Sequence, residues 1–173
     1  YVQLDGPFSS AAWWEALRAG RTMITNGPLI IATVNGEYAG HVFRASAGES
    51  ISLLPKLTLH TKEKIDYLEF IKDGKTAQSI RLDDWVKAQG RLAPFEFDSS
   101  GWLIIRAVIN HGDTYRYAAT APFYVEINGR PRISRTAVQY FMDWVFDRAK
   151  QLKSTNDPQR DSLLPHLRNA REY

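Results

Sequence analysis

Residues 102–109 read W-L-I-I-R-A-V-I, and no other run limits the fold so tightly. The run has strand length, not helix length. It is rich in Ile and Val and is bounded by Ser99-Ser100-Gly101 and His111-Gly112-Asp113. A near-continuous apolar run closed by turn signals predicts a central strand buried on both faces. Such a strand needs partners on each side, and the flanking sequence offers them. Ile65–Ile71 precedes it, and Asp73-Gly74 turns that segment into Thr76–Ile80. Tyr115–Ala119 follows it across a hairpin, and Pro122–Ile127 continues extended to the turn Asn128-Gly129-Arg130-Pro131.

The earlier part of the chain carries the same grammar. Asn35-Gly36 is a two-residue hairpin signal between Leu29–Val34 and Tyr38–Phe43, with Gly40 marking a bulge. Ile51, Leu53, Leu57 and Leu59 alternate onto one face, and Pro55 bends that strand or puts it at an edge. Leu82–Ala88 reads as a short helix anchored by Trp85 and Val86 and ended by Gly90; Ala93–Phe97 reads as a short strand. The texture changes after Pro131. Ser134 caps a helix to about Leu152, with Ala137, Val138, Phe141, Trp144, Val145, Ala149 and Leu152 at helical spacing. Asp157-Pro158 opens a last helix, which Pro165 kinks or splits. The prediction is a mainly β chain: an Ig-like antiparallel β-sandwich of about eight strands, with an N-terminal helix and two C-terminal helices.

Composition narrows the function. A net charge of +3 is too small and dispersed for a nucleic-acid surface. No apolar run approaches the ~20 residues of a membrane helix. The absence of cysteine excludes disulfides and thiolate chemistry. The four histidines, His41, His60, His111 and His166, show no metal-ligand spacing and read as solvated or locally bonded. No G-x-S-x-G supports a serine nucleophile. Asp83-Asp84 reads as the acidic start of a helix. The residues themselves indicate no catalytic site and no metal site.

Two sets of side chains invite a binding role. Trp13, Trp14, Trp85, Trp102, Tyr115 and Tyr117 are the kind of aromatics that stack on sugars, although core packing accounts for them more simply. Arg106 is the odd charge inside an apolar strand. It calls for an internal carboxylate partner, with an anion contact as the other reading.

The stretch Trp13–Ile31, W-W-E-A-L-R-A-G-R-T-M-I-T-N-G-P-L-I-I, adds organisation. Ser9 or Ser10 caps a helix bearing Trp13, Trp14, Ala16 and Leu17, Gly20 ends it, and Arg18 complements its dipole. Thr22–Thr25 reads as a strand and Asn26-Gly27-Pro28 as its break. A tryptophan-bearing helix followed by G-R-x-x-x-T-N-G-P resembles the carbaryl-hydrolase-like (CehA/McbA) group of PHP-type metallohydrolases. G-W-L-I-I-R at 101–106, A-T-A-P-F-Y-V at 119–125 and A-R-E-Y at 170–173 agree with that resemblance, which spans most of the chain.

The resemblance implies three regions. Residues 1–28 would be the terminal helix and strand of an upstream catalytic barrel, 29–131 the β-sandwich, and 132–173 C-terminal helices packed on it. It implies a non-catalytic accessory domain that caps or shapes the rim of the catalytic domain. The divalent metal and its ligands would lie upstream, with no cofactor in this fragment. A start at Tyr1-Val2-Gln3 fits an excised C-terminal piece, and a signal peptide for export would then lie upstream as well. Arg21, Thr25 and Asn26 become rim residues of the catalytic cavity, with Arg106 as a further candidate. Turn and cap chemistry explains the first three equally well. Where the family often has A-H-T-x-P, this chain has Ala119-Thr120-Ala121-Pro122, which removes a polar side chain from that turn. The implied partners are the upstream domain and a second copy, since a helix apolar on more than one face wants more than one neighbour. The alternative is a free-standing carbohydrate- or ligand-binding sandwich.

Overall fold

A computed structural model describes residues 1–111, 114–154, 165–166 and 169. In chain order the elements begin with helix α1 (Ser10–Arg18) and strands β1 (Met23–Thr25), β2 (Leu29–Val34), β3 (Glu37–Tyr38) and β4 (Val42–Ala45). Next come β5 (Ile51–Leu53), β6 (Pro55–His60), β7 (Tyr67–Lys72), β8 (Lys75–Arg81) and helix α2 (Leu82–Lys87). The series closes with β9 (Phe95–Phe97), β10 (Gly101–His111), β11 (Thr114–Thr120), β12 (Phe123–Ile127) and helix α3 (Arg135–Ser154). The chain divides into two compact units, Tyr1–Arg132 and Ile133–Tyr173.

The first unit is built around β10. One edge pairs antiparallel with β7, which pairs in turn with β8. The other edge is shared: Gly101–Leu103 pair with β12 and Arg106–His111 with β11. β11 and β12 are one path broken at Ala121-Pro122, where proline has no N–H for a ladder. The neighbours absorb the break. Ala121 N donates to Thr22 O at 2.8 Å, and Pro122 O accepts from Gly40 N at 2.8 Å. β1 lies antiparallel outside β11. β4 lies outside β12 in the one parallel pairing among the described strands. A second sheet, β3-β2-β6, and a two-stranded pair, β5-β9, complete the sandwich.

The core joins these sheets. Ile30, Ala32 and Val34 of β2 meet Leu68, Phe70, Leu103, Ile105, Phe123 and Val125 of the large sheet. Phe70, Phe97 and Phe123 are fully buried, each worth about 1.5–3 kcal/mol of transfer free energy. The expected class, a mainly β antiparallel sandwich of the Ig-like kind with an N-terminal helix, is what this unit forms.

The details refine several expectations. Strands number more than the eight expected because continuous runs are cut. The segment beginning at Ile51 is two strands split at Leu54, with β5 on β9 and β6 on β2. The hairpin at Asn35-Gly36 has φ of 49° and 89°, the paired positive values of a type I′ turn. Its second arm ends at Tyr38, and β4 crosses to the other sheet. Strand β10 is central, but only its inner face is wholly buried. Leu103, Ile105, Ala107 and Ile109 are at most 4% exposed, whereas Trp102, Ile104 and Arg106 are half-buried. Val108 is the exception on the outer face, lying between Tyr67 and Tyr117 in register.

Within residues 1–28, strand β1 is hydrogen-bonded onto β11 of this sandwich. All of β1 is in register with β11, and Gln3 N donates to Arg21 O at 2.8 Å. Ser9 is the cap of α1, its Oγ accepting from Ala12 N at 3.1 Å. In the second unit Ser134 Oγ accepts from Ala137 N at 3.3 Å and starts α3 as expected. The helix expected from Asp157-Pro158, the tip Gly112-Asp113 and the segment A-R-E-Y lie outside the described residues.

Candidate functional site

The T-N-G-P turn is the structural centre of one end of the sandwich. Thr25 Oγ1 donates to Pro28 O at 2.5 Å and accepts from Gly27 N at 2.9 Å, which closes the turn on itself. Asn26 reaches outward to β11. Its Nδ2 donates to Tyr115 O at 3.0 Å, and its Oδ1 accepts from Tyr117 N at 2.7 Å. A third bond runs from Asn26 N to Tyr117 O at 3.1 Å. The asparagine thus completes the ladder beyond β1 and fixes the backbone on both sides of Arg116.

Arg116 is the residue held by this clamp. It is opposite Ile109 in register and shares the inward face with Ala118 and Thr120. Its stem runs along Gly27, where an added Cβ would lie 3.3 Å from the Arg116 Cβ. The guanidinium pairs through Nη1 with Glu63 Oε1 from the β6–β7 loop. The other oxygen, Glu63 Oε2, is buried and has no hydrogen-bond partner. Around this pair is an open cleft of about 640 Å³, lined also by Leu29, Leu59, His60, Thr61, Lys62 and Ile109.

A second cleft, of about 190 Å³, lies across Leu29 and His60 from the first. Its wall is mainly apolar, with Met23, Ile30 and Ala32, and Arg21, Tyr38 and Thr120 add polar groups. Arg21 itself is tied to Asp5 at 2.6 Å. Met23 Sδ accepts from Ile30 N at 3.2 Å, so the thioether joins β1 to β2.

Arg106 is elsewhere. It is on the outer face of the large sheet, opposite Glu69, and donates through Nε to Glu69 Oε2 at 2.7 Å. The side chains are 29% and 14% exposed, and the carboxylate expected for this arginine is therefore present. Tyr115 and Tyr117 lie near this pair, their rings 5.5 Å apart. Burial holds the Tyr115 hydroxyl above its usual pKa of 10.0 and outweighs the opposing effect of Arg106.

The structure therefore brings Thr25 and Asn26 together, places Arg21 beside a separate cleft and leaves Arg106 on another face. The aromatics do not gather into one platform. Trp13 and Trp14 meet edge to face on α1, Trp85 is on α2, and Trp102 packs toward Gly74. Among the described residues no group of three or more His, Cys, Asp or Glu is arranged to hold a metal ion. His41 is beside Glu37 at 3.4 Å. No described helix is long and apolar enough to cross a membrane. Glu63, Arg116 and Gly27 were not anticipated as site residues. A signal for Arg116 exists: in T-Y-R-Y-A-A-T it alternates with the tyrosines onto the face of Ala118 and Thr120.

No family model matches the chain, and no curated protein does. Among solved structures, the chain is similar to one described as fibronectin(III)-like modules of CbhA from Clostridium thermocellum. The identity is 16% and the TM-score 0.36, covering 59% of this chain and 100% of that one.

Proposed function

We propose that this chain is the non-catalytic C-terminal accessory β-sandwich of a PHP-type metal-dependent hydrolase, capping an upstream catalytic domain and shaping its rim. The observation that supports the reading is the double character of the N-terminal segment. β1 is hydrogen-bonded along its length into the sandwich, yet the same segment presents Phe8 at 74%, Trp14 at 52% and Ile24 at 60% exposure. Large apolar side chains on a segment anchored from behind are what a joint between two domains requires. The residues that carry the family resemblance, G-R-T-M-I-T-N-G-P, lie in the part of that segment anchored to the sandwich. The divalent metal belongs to the upstream domain, which also supplies its ligands.

The coding sequence upstream of Tyr1 tests the proposal first. Clusters of histidine and acidic residues there, followed by metal-dependent hydrolysis by the full-length protein, are the expected result. In that protein Trp14→Asp should lower activity and leave the sandwich's own thermal transition unchanged. An upstream sequence without such clusters refutes the proposal. So does full activity in Trp14→Asp, because the helix would then not be the docking face. Light scattering of the isolated chain reports whether a second copy covers α1 when the upstream domain is absent.

A further inference from the structure

We propose that Asn128 is a site of spontaneous chemical modification: it deamidates in the folded protein, while Asn26 and Asn35, which carry the same Asn-Gly dipeptide, are protected by their hydrogen bonds. The inference is independent of the hydrolase reading. Asparagine is among the thermolabile residues, and a following glycine makes it more so, because no side chain shields the glycine nitrogen. The Gly129 nitrogen attacks Asn128 Cγ and forms a C–N bond. The side-chain amide departs as ammonia and carries off the Gly129 proton. Water then opens the cyclic imide at either carbonyl and leaves aspartate or isoaspartate. Water is the sole co-reactant.

The reaction needs a free side-chain amide, a free glycine nitrogen and a backbone that can rotate to bring them together. Asn26 meets none of these needs. Its Nδ2 donates to Tyr115 O, its Oδ1 accepts from Tyr117 N, and Gly27 N donates to Thr25 Oγ1 at 2.9 Å. Asn35 is tied at both ends of its amide: Nδ2 donates to Ser52 O at 2.9 Å, and Oδ1 accepts from Leu54 N at 2.9 Å. Asn128 has no such anchors. It is exposed, and among the described residues no hydrogen bond reaches its side-chain amide or the Gly129 nitrogen. Asn35 and Asn128 have φ of 49° and 57°. That turn conformation points the following nitrogen away from Cγ, so each turn must open before the ring can close. Opening is easiest where the fewest bonds break. At Asn128 the bond that closes the turn, from Arg130 N to Ile127 O, is 3.3 Å long. Opening at Asn35 breaks two side-chain bonds that Asn128 does not have, which slows it by about tenfold or more. The product puts a carboxylate, and in the iso form an extra backbone carbon, at the residue whose N–H donates to Ala45 O at 2.9 Å, the end of the β4–β12 pairing.

The test is incubation of the full chain in warm, mildly alkaline buffer, with a parallel sample unfolded in urea. Tandem mass spectrometry of tryptic peptides follows the conversion of amide to carboxylate at each of the three asparagines. Each folded rate is divided by the rate of the same asparagine in urea, which removes the effect of local sequence. This ratio should be at least about tenfold higher for Asn128 than for Asn26 or Asn35. Asn128→Gln, whose longer side chain closes a ring far more slowly, should remove most of the acidic species that ion-exchange chromatography resolves in the incubated folded protein. Should that variant unfold, the comparison of the three sites in the unaltered chain decides. A ratio at Asn26 or Asn35 equal to that at Asn128 overturns the proposal, and so does an undiminished acidic species in folded Asn128→Gln.

Discussion

Gly40→Ala separates two reasons for a glycine. The residue has φ of 88°, in the left-handed region. An L-residue in that region costs about 1–2 kcal/mol. A second term comes from packing. A Cβ at Gly40 would lie 1.9 Å from Ala19 O, 2.8 Å from Gly20 Cα and 2.9 Å from Ala19 C. These are backbone atoms at the end of α1, which cannot rotate away as a side chain would. The chain must open by about 1 Å or more at the contact between the end of α1 and the β3–β4 link. That shift opposes the bond from Gly40 N to Pro122 O at 2.8 Å. Overpacking of this kind costs about 1–3 kcal/mol, for a total of about 2–5 kcal/mol. Gly36→Ala is the matched control. Its φ is 89°, and nothing lies within 4 Å of its added Cβ. The unfolded-state entropy gain is common to both substitutions and cancels. Urea unfolding followed by tryptophan fluorescence should place Gly40→Ala below Gly36→Ala by about 1–3 kcal/mol. Equal losses, within about 0.5 kcal/mol, would refute the close approach of Gly40 to Ala19 and Gly20.

Three further outcomes are expected. Phe123→Ala, at a fully buried site, should cost about 3–5 kcal/mol, whereas half-buried Trp102→Ala should cost about 2 kcal/mol; denaturant midpoints in the reverse order would contradict the assigned inner and outer faces of the sheet. Arg106→Leu should destabilise by about 2–4 kcal/mol, because it strands a Glu69 carboxylate that is 14% exposed, and adding Glu69→Leu should recover most of the loss; a double variant as weak as the single one would show that the pair is not what holds that face. The hydrogen bond from Lys64 holds the Asp83 carboxyl below its ordinary 3.8, so the pair's contribution is present above that pH and is lost as pH falls through the lowered value; in a carbonyl-detected NMR titration, Lys64→Met should raise the Asp83 midpoint, and an unchanged midpoint would remove Lys64 as the cause.

The fold was readable where local chemistry and tertiary demand agree. Asn35-Gly36, Asp73-Gly74 and Asn128-Gly129 turn where their dipeptides say, each with both residues at positive φ. The apolar run at 102–109 is the central strand of the large sheet, pairing with β7, β11 and β12. Its outer face misled because Trp102 and Ile104 look as buried as Leu103 and Ile105 when only residue type is visible. A β-strand's two faces differ by what lies beyond the sheet, and that is a property of other segments. The division of Ile51–His60 into two sheets was hidden for the same reason, since the partners β9 and β2 lie far away in sequence.

The cleft was the least readable feature. Lys62-Glu63-Lys64 has the composition of a solvated turn, and nothing local distinguishes Glu63 from its neighbours. What sets it apart is Arg116, more than fifty positions later, and Arg116 is aimed by Asn26, 90 positions earlier than itself. Asn26 and Gly27 were legible as turn residues, Arg116 went unread although T-Y-R-Y-A-A-T alternates it onto the face of Ala118, and only pairing β1 with β11 makes them one device. The same pairing bears on the roles first assigned to the turn. Thr25 and Asn26 meet their hydrogen-bonding needs inside the sandwich, so what they offer a neighbouring domain is the position of a backbone. An Asn26→Ala substitution would therefore act on the cleft through Arg116. It should loosen the Arg116–Glu63 pair while leaving both charged side chains in place, the signature of a residue that positions another.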